Sequence, residues 1–166
     1  MKLEKEAFEA RTNAARNELE VAQNELTASE NAVKEAERQY GVGRAGQALY
    51  AARDKAQETY IQKSEAVGTA WRNLIDDMSE DYIKEHPEFI AEWLGNALSA
   101  EGDVTSGRET LDSNANIESQ TKLNDLQAEA SDLQRKLTVA EQKHQKVSKS
   151  TYRDLIANGR NQIKVL

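Results

Sequence analysis

Between Phe8 and Tyr40 apolar or small side chains return on a heptad pattern: Phe8, Ala15, Leu19, Ala22, Leu26, Ser29, Val33, Ala36 and Tyr40. That spacing keeps one edge of an α-helix apolar for about five repeats and predicts a second helix lying along it. A second run with the same spacing occupies Leu123, Leu126, Ala130, Leu133, Leu137, Ala140, His144 and Val147. Two such runs, far apart in the chain, predict long helices that meet other helices. The positions expected to carry the seams are Leu19, Leu26, Val33, Leu123, Leu126, Leu133 and Leu137.

Composition agrees with this pattern. Of 166 residues 31% are charged, only 5% are aromatic and one is proline, and the common residues are those that lose little side-chain freedom in a helix. With 38% hydrophobic residues the chain lacks the material for a thick globular core. The expected fold class is therefore all-α, an elongated helical bundle or coiled-coil hairpin with a small helical head.

Punctuation divides the chain. The stretch Gly41-Val42-Gly43-Arg44-Ala45-Gly46 interrupts the first seam, because each glycine costs a helix about 1 kcal/mol relative to alanine. Residues 1–75 thus read as a helical hairpin, with helices over about 2–40 and 46–77. The second helix places Leu49, Ala52, Ala56, Tyr60, Val67, Trp71, Leu74 and Met78 at a step near 3.6, which predicts a straight helix folded back on the first. A weaker stripe on the first helix, through Leu3, Ala7, Ala10, Ala14, Val21, Ala28 and Ala32, predicts a second neighbour for it or reflects the helix propensity of alanine alone.

Ser79 followed by Glu80 and Asp81 reads as an N-cap with acids in the first turn, and Pro87 stands where another helix can begin. Residues 76–100 are expected to form a short-helix acidic head. Its apolar cluster would draw on Trp71, Leu74, Ile75, Met78, Tyr82, Ile83, Phe89, Ile90, Trp93 and Leu94. Gly, Ser, Thr, Asp and Asn dominate residues 101–115, the composition of a loop. A long coiled-coil helix is expected over 116–158, closed by Asn158 and Gly159 as a C-cap, with 159–166 as a tail.

The chain carries a net charge of −7, and its distribution is uneven. Residues 76–118 hold twelve acids against only Lys84 and Arg108, whereas Lys143, Lys146, Lys149, Arg153, Arg160 and Lys164 make the C-terminal end basic. The acidic segment could steer toward a basic surface, although such charge also serves as a plain solvated face. The basic end has only Tyr152 to stack on bases and sits where the helix macrodipole favours cations, so direct nucleic-acid binding is not expected.

Three motifs match chemical sites by spacing but lack their structural requirements. Gly41, Gly43 and Gly46 match G-x-G-x-x-G by letter, but that fingerprint needs a preceding strand and here follows a helix. Glu141 and His144 have the Glu-x-x-His spacing of di-iron bundles, yet His86, the other histidine, follows Ile83 rather than a glutamate at that spacing. Asp77, Ser79, Asp81, Glu85 and Glu88 fall on calcium-loop positions, but Tyr82 stands where the loop requires glycine, and Pro87 intrudes. No metal and no cofactor are expected.

There is no cysteine, hence no disulfide, thiolate metal site or cysteine nucleophile. No apolar segment resembles a secretory leader or a membrane span, so a cytoplasmic protein without a membrane partner is expected, with packaging in a virion or signal-independent export as other routes.

The sequence accordingly predicts a non-enzymatic interaction or assembly protein with a protein partner or further copies of itself, of the kind found in virions and secretion machines. Partner contacts are expected at Phe89 and Trp93 and at Asp76, Asp77, Glu80, Asp81, Glu88 and Glu92. The alternative is a stoichiometric inhibitor, as in phage counter-defence, whose acidic head blocks a basic or nucleic-acid-binding groove.

Overall fold

The structure is a computed structural model that describes the backbone of residues 2–165 and the side chains of residues 4–149 and 151–159. It is all-α: helices and turns account for the described residues, with no strand among them. Five α-helices follow in order: α1 (Lys2–Glu9), α2 (Asn13–Tyr40), α3 (Gln47–Asp76), α4 (Glu80–Glu85) and α5 (Pro87–Val165), with a 3-10 turn at Ala10–Thr12 between the first two. The chain divides into two compact units, residues 1–118 and residues 119–166.

The 3-10 turn interrupts what the periodicity presents as a single first helix. Thr12 is fully buried there, and its hydroxyl donates to the Glu9 carbonyl at 2.8 Å, so a polar side chain is internally satisfied at the tightened turn. From Asn13 onward one edge of α2 is covered: Ala22, Leu26 and Val33 are buried, and Ala15, Leu19, Ser29 and Ala36 are half-buried. The residues of the weaker stripe, Ala7, Ala10, Ala14, Val21, Ala28 and Ala32, are exposed; the Leu3 side chain lies outside the described residues.

The glycine-rich turn has a definite conformation. Gly41, Gly43 and Gly46 have φ of 103°, 77° and 97°, values that side chains disfavour, and these are the only positive φ angles among the described residues. The Gly41 amide donates to the Glu37 carbonyl at 2.7 Å and the Gly43 amide to the Glu37 carboxylate at 2.9 Å, closing the end of α2. The turn returns the chain so that α3 runs antiparallel to α2. Arg11 pairs with Asp77, Arg16 lies 5.7 Å over the Trp71 ring, and Glu18 meets Lys63 at 3.2 Å.

Helix α3 is buried on more than one side, through Tyr50, Ile61, Val67, Trp71 and Leu74 and the small or polar Gln57, Ser64 and Gly68. Its other neighbour is the first part of α5, again antiparallel: Arg72 pairs with Glu101, Glu65 with Arg108 at 2.6 Å, and Arg53 with Glu118 at 2.9 Å. Before it, Ser79 caps α4 by accepting from the Tyr82 amide at 3.1 Å, and Pro87 opens α5.

Residues 101–115 are helical, not a loop, and α5 passes without a break from the region expected as a head into the region expected as a coiled coil. Small residues on one edge of α5, Gly107 of the expected loop among them, are what let α5 approach α3. Ala97, Ala100 and Gly107 are buried, and a Cβ on Gly107 would lie 2.7 Å from Ile61 Cγ1 and 2.9 Å from Gln57 Nε2. The hydroxyls find partners within the helix, Thr105 donating to the Glu101 carbonyl and Thr110 to that of Ser106.

Asn158 and Gly159 likewise fail to end the helix, which continues to Val165; one interior glycine costs only about 1 kcal/mol, too little to stop a long helix. Residues 159–165, expected as a tail, are therefore helical in backbone.

The core of the first unit is continuous. Val67, Trp71, Leu74, Trp93, Ala97 and Ala100 form its buried centre, with Phe8, Ala15, Leu19, Ile75, Met78, Tyr82, Phe89 and Ile90 against it. The expected aromatic cluster thus includes residues of α1 and α2, while Leu94 remains 40% exposed.

Candidate interaction surfaces

Of the residues expected to dock a partner, the acids and the aromatics separate. Asp76, Asp77, Glu80, Asp81, Glu88 and Glu92 are exposed, on the end of α3, on α4 and on the first turns of α5. Trp93 is 0% exposed, and its indole N–H donates to the Glu9 carboxylate at 2.9 Å. A buried tryptophan with its one polar atom paired holds the core together and reaches no partner in this structure.

Phe89 is half-buried. Its ring stacks on His86 at 5.0 Å and carries the Lys5 ammonium 5.1 Å from its centroid. Tyr82 completes this corner, edge-on to Phe8 at 5.2 Å and stacked with Trp93 at 6.4 Å. Its hydroxyl has no hydrogen-bond partner, and burial, then the nearby Glu4 and Glu88, push its pKa up.

Several of the exposed acids already have cations. Glu92 accepts from Lys5 at 2.7 Å, which holds the lysine above its ordinary pKa, and Asp77 pairs with Arg11. Ser79 is engaged as the α4 cap. Of the residues on calcium-loop positions, Ser79 thus serves a helix start and Asp77 an interhelical pair. Among the described residues no group of three potential ligands is close enough to hold a metal ion.

The seam residues also separate, by unit. In the first unit Leu26 is 8% and Val33 3% exposed, with Leu19 half-buried. In the second, Leu123, Leu126, Leu133 and Leu137 are 48%, 62%, 57% and 52% exposed, and Val147 is 65% exposed. Ala130, Ala140 and His144, at the intervening seam positions, are exposed as well. Within this stretch Asp132 meets Arg135 at 2.5 Å and Lys136 at 3.0 Å, and Gln120 donates to Asn124 at 2.9 Å. Among the basic residues of this end, the side chains of Arg160 and Lys164 lie outside the described residues.

A further depression in the first unit is bounded by Arg16, Leu19, Gln23, Trp71, Asn96 and Asp103. Its floor is the Trp71 ring beneath Arg16, and its polar rim is exposed apart from the half-buried Asn96 and Asp103. Sequence reasoning gave no signal for it, since its residues come from three helices and share no motif.

No described helix is long and apolar enough to cross a membrane. No protein-family model matches the chain, and neither a curated protein nor a solved structure matches it.

Proposed function

We propose that the chain is a non-enzymatic assembly protein, a helical bundle that carries a coiled-coil helix and works by binding protein. The observation that supports this is the exposed stripe of Leu123, Leu126, Leu133 and Leu137. Leucines recurring on one edge of a helix lower the free energy only when another helix covers them, and an isolated helix in water is marginal without such packing. A contiguous apolar stripe on an otherwise polar surface marks an interaction site.

The absence of enzymatic activity belongs to the same reading. The carboxylates of residues 76–92 lie on the outside, whereas a carboxyl acid or base near neutral pH needs an enclosed setting. A structural role in a virion or a secretion machine fits a chain of this kind.

The test uses the full chain as bait against a lysate of its host, beside the variant Leu126→Glu/Leu137→Glu. Protein species, its own copies included, that the wild type retains and the variant loses are expected; equal recovery by both contradicts the proposal. Trp93→Ala is unsuitable as a docking probe, because the residue is buried and its removal reads out folding.

A second reading is favoured by a separate observation, the exposure of Asp76, Glu80, Asp81 and Glu88 in a segment with few cations. Such a face would suit a stoichiometric inhibitor that occupies a basic or nucleic-acid-binding groove. Binding of that type weakens steeply with salt, since exposed charges are screened within about 8 Å at physiological ionic strength. Retention that survives moderate salt and is lost in the leucine variant rejects it in favour of the first.

A further inference from the structure

We infer that residues 119–149 pair with the same residues of a second copy of this chain, as a parallel, in-register, two-stranded coiled coil. The inference rests on the reading of the leucine stripe as a protein-binding site and commits it to one occupant. Three features of the stripe select that occupant.

The first is width. Apolar residues fill the two seam positions of each heptad, Leu123, Ala130, Leu137 and Leu126, Leu133, Ala140, Val147, with His144 the single polar member, and off the seam only Val139 and Ala128 are apolar. The flanking positions are Gln127, Glu129, Gln134, Lys136, Glu141 and Lys143, all polar and all exposed. A stripe limited to those two positions is covered by one helix, whereas a helix packed into a larger bundle needs a third apolar position per heptad.

The second is charge. In a parallel, in-register pair each residue before a first seam position faces the residue five places later on the other strand. Lys136 then faces Glu141 of the second copy, twice by symmetry, while Lys122 faces Gln127, Glu129 faces Gln134 and Lys143 faces Ser148. No like charges meet. Reversing one strand, with Leu133 opposite Leu137, also gives two attractive pairs, Glu129 with Lys143, but it brings Lys136 against the Lys136 of its copy and sets His144 against Leu126. The sequence therefore complements itself in the parallel arrangement.

The third is register. His144 occupies a seam position, where a polar side chain is tolerated best against an identical one, and a shift by a heptad would set it against Leu137. The seam also has defined ends: the next two seam positions after Val147 are Thr151 and Asp154, and those before Leu123 are Ser119 and Asn116. One pairing thus satisfies the whole run.

The chain contains no cysteine, so an introduced one reports on its own position alone. Light scattering of the full chain from low to high micromolar concentration is expected to give twice the 18.6 kDa chain mass at the upper end. Leu126→Glu/Leu137→Glu is expected to return the single-chain mass with the fluorescence of buried Trp71 and Trp93 unchanged. Under mild oxidation Leu126→Cys should give a covalent dimer, while a mixture of Leu126→Cys and His144→Cys chains should give no bond between the two variants, which lie about 27 Å apart along parallel strands.

A single-chain mass throughout, a larger assembly, a dimer untouched by the glutamates, or a bond joining positions 126 and 144 would each overturn the inference. The two proposals fail separately. A chain that stays single while its leucine variant loses a different protein from the lysate sinks the self-pairing and leaves the assembly role standing; loss of neither sinks both.

Discussion

Leu26 and Val33 in the first unit, and Leu126 and Leu133 in the second, occupy the same heptad spacing, yet the first pair is 8% and 3% exposed and the second 62% and 57%. The difference lies in what the chain itself provides. After α2, three glycines at positive φ reverse the chain, and α3 returns along the leucine edge. After α3, Ala97, Ala100 and Gly107 remove the bulk that would hold α5 off, so a third helix closes the core. Along residues 119–149 the same kind of edge stands exposed. Heptad spacing therefore tells how many neighbours an edge wants and leaves open whether the neighbour is the same chain or another.

Substitutions can sharpen this contrast. Trp93→Ala should have the largest effect, destabilising the first unit by about 3–5 kcal/mol in denaturant unfolding, because it empties a fully buried site and strips Glu9 of its indole partner. A loss below about 1 kcal/mol, within the range of surface changes, would mean that the aromatic corner does not hold the unit together.

The matched pair Leu26→Ala and Leu126→Ala tests the comparison itself. In dilute solution the first should cost about 2–5 kcal/mol and the second no more than about 0.5 kcal/mol, as expected for a buried and an exposed leucine. Equal costs would abolish the distinction between the two regions.

Gly107→Ala should cost about 1–3 kcal/mol, since one added methyl group meets Ile61 and Gln57 across the α3–α5 contact. Gly102→Ala, where a Cβ would meet nothing within 4 Å, is its control and should be neutral or stabilising. A tolerated Gly107→Ala would show that the two helices do not approach as closely as described.

The smallest effect concerns Glu101. Its hydrogen bond with Arg72 holds the carboxyl below its ordinary value of 4.5. A folded-state value below the unfolded one gives stability that is present above about pH 4.5 and is lost as pH falls through the folded value. Glu101→Gln should therefore slightly flatten the acid limb of a thermal-stability profile, and an unchanged limb would remove the pair from the account of α3–α5 packing.

Much of the fold is written locally. The glycine turn, the Ser79 cap and the start at Pro87 were legible because each depends on a few adjacent residues with strong conformational preferences. The helical state of residues 101–115 was not, because their glycine and hydroxyl residues score as loop until α3 stands beside them. The spacing Ala97, Ala100, Val104, Gly107, Leu111 did hold the signal, as a helical edge of small and apolar residues.

The candidate surfaces divide in the same way. Charge alone places the acids outside, whereas the spacing of Leu123, Leu126, Leu133 and Leu137 marks an apolar edge without telling whether the chain itself covers it. The burial of Trp93 is not legible in the sequence, because a large aromatic suits a core and an interface equally well and its packing depends on Phe8 and Glu9 from α1.

Amide hydrogen exchange on the full chain, followed at several protein concentrations, tests the contrast between the two regions most directly. Amides of α2, α3 and residues 87–118 should show protection independent of concentration, while those of residues 119–149 should exchange quickly in dilute solution and slow as concentration rises. Strong protection of 119–149 at the lowest concentration, or none at the highest, would contradict the claim that this helix is completed by a second copy.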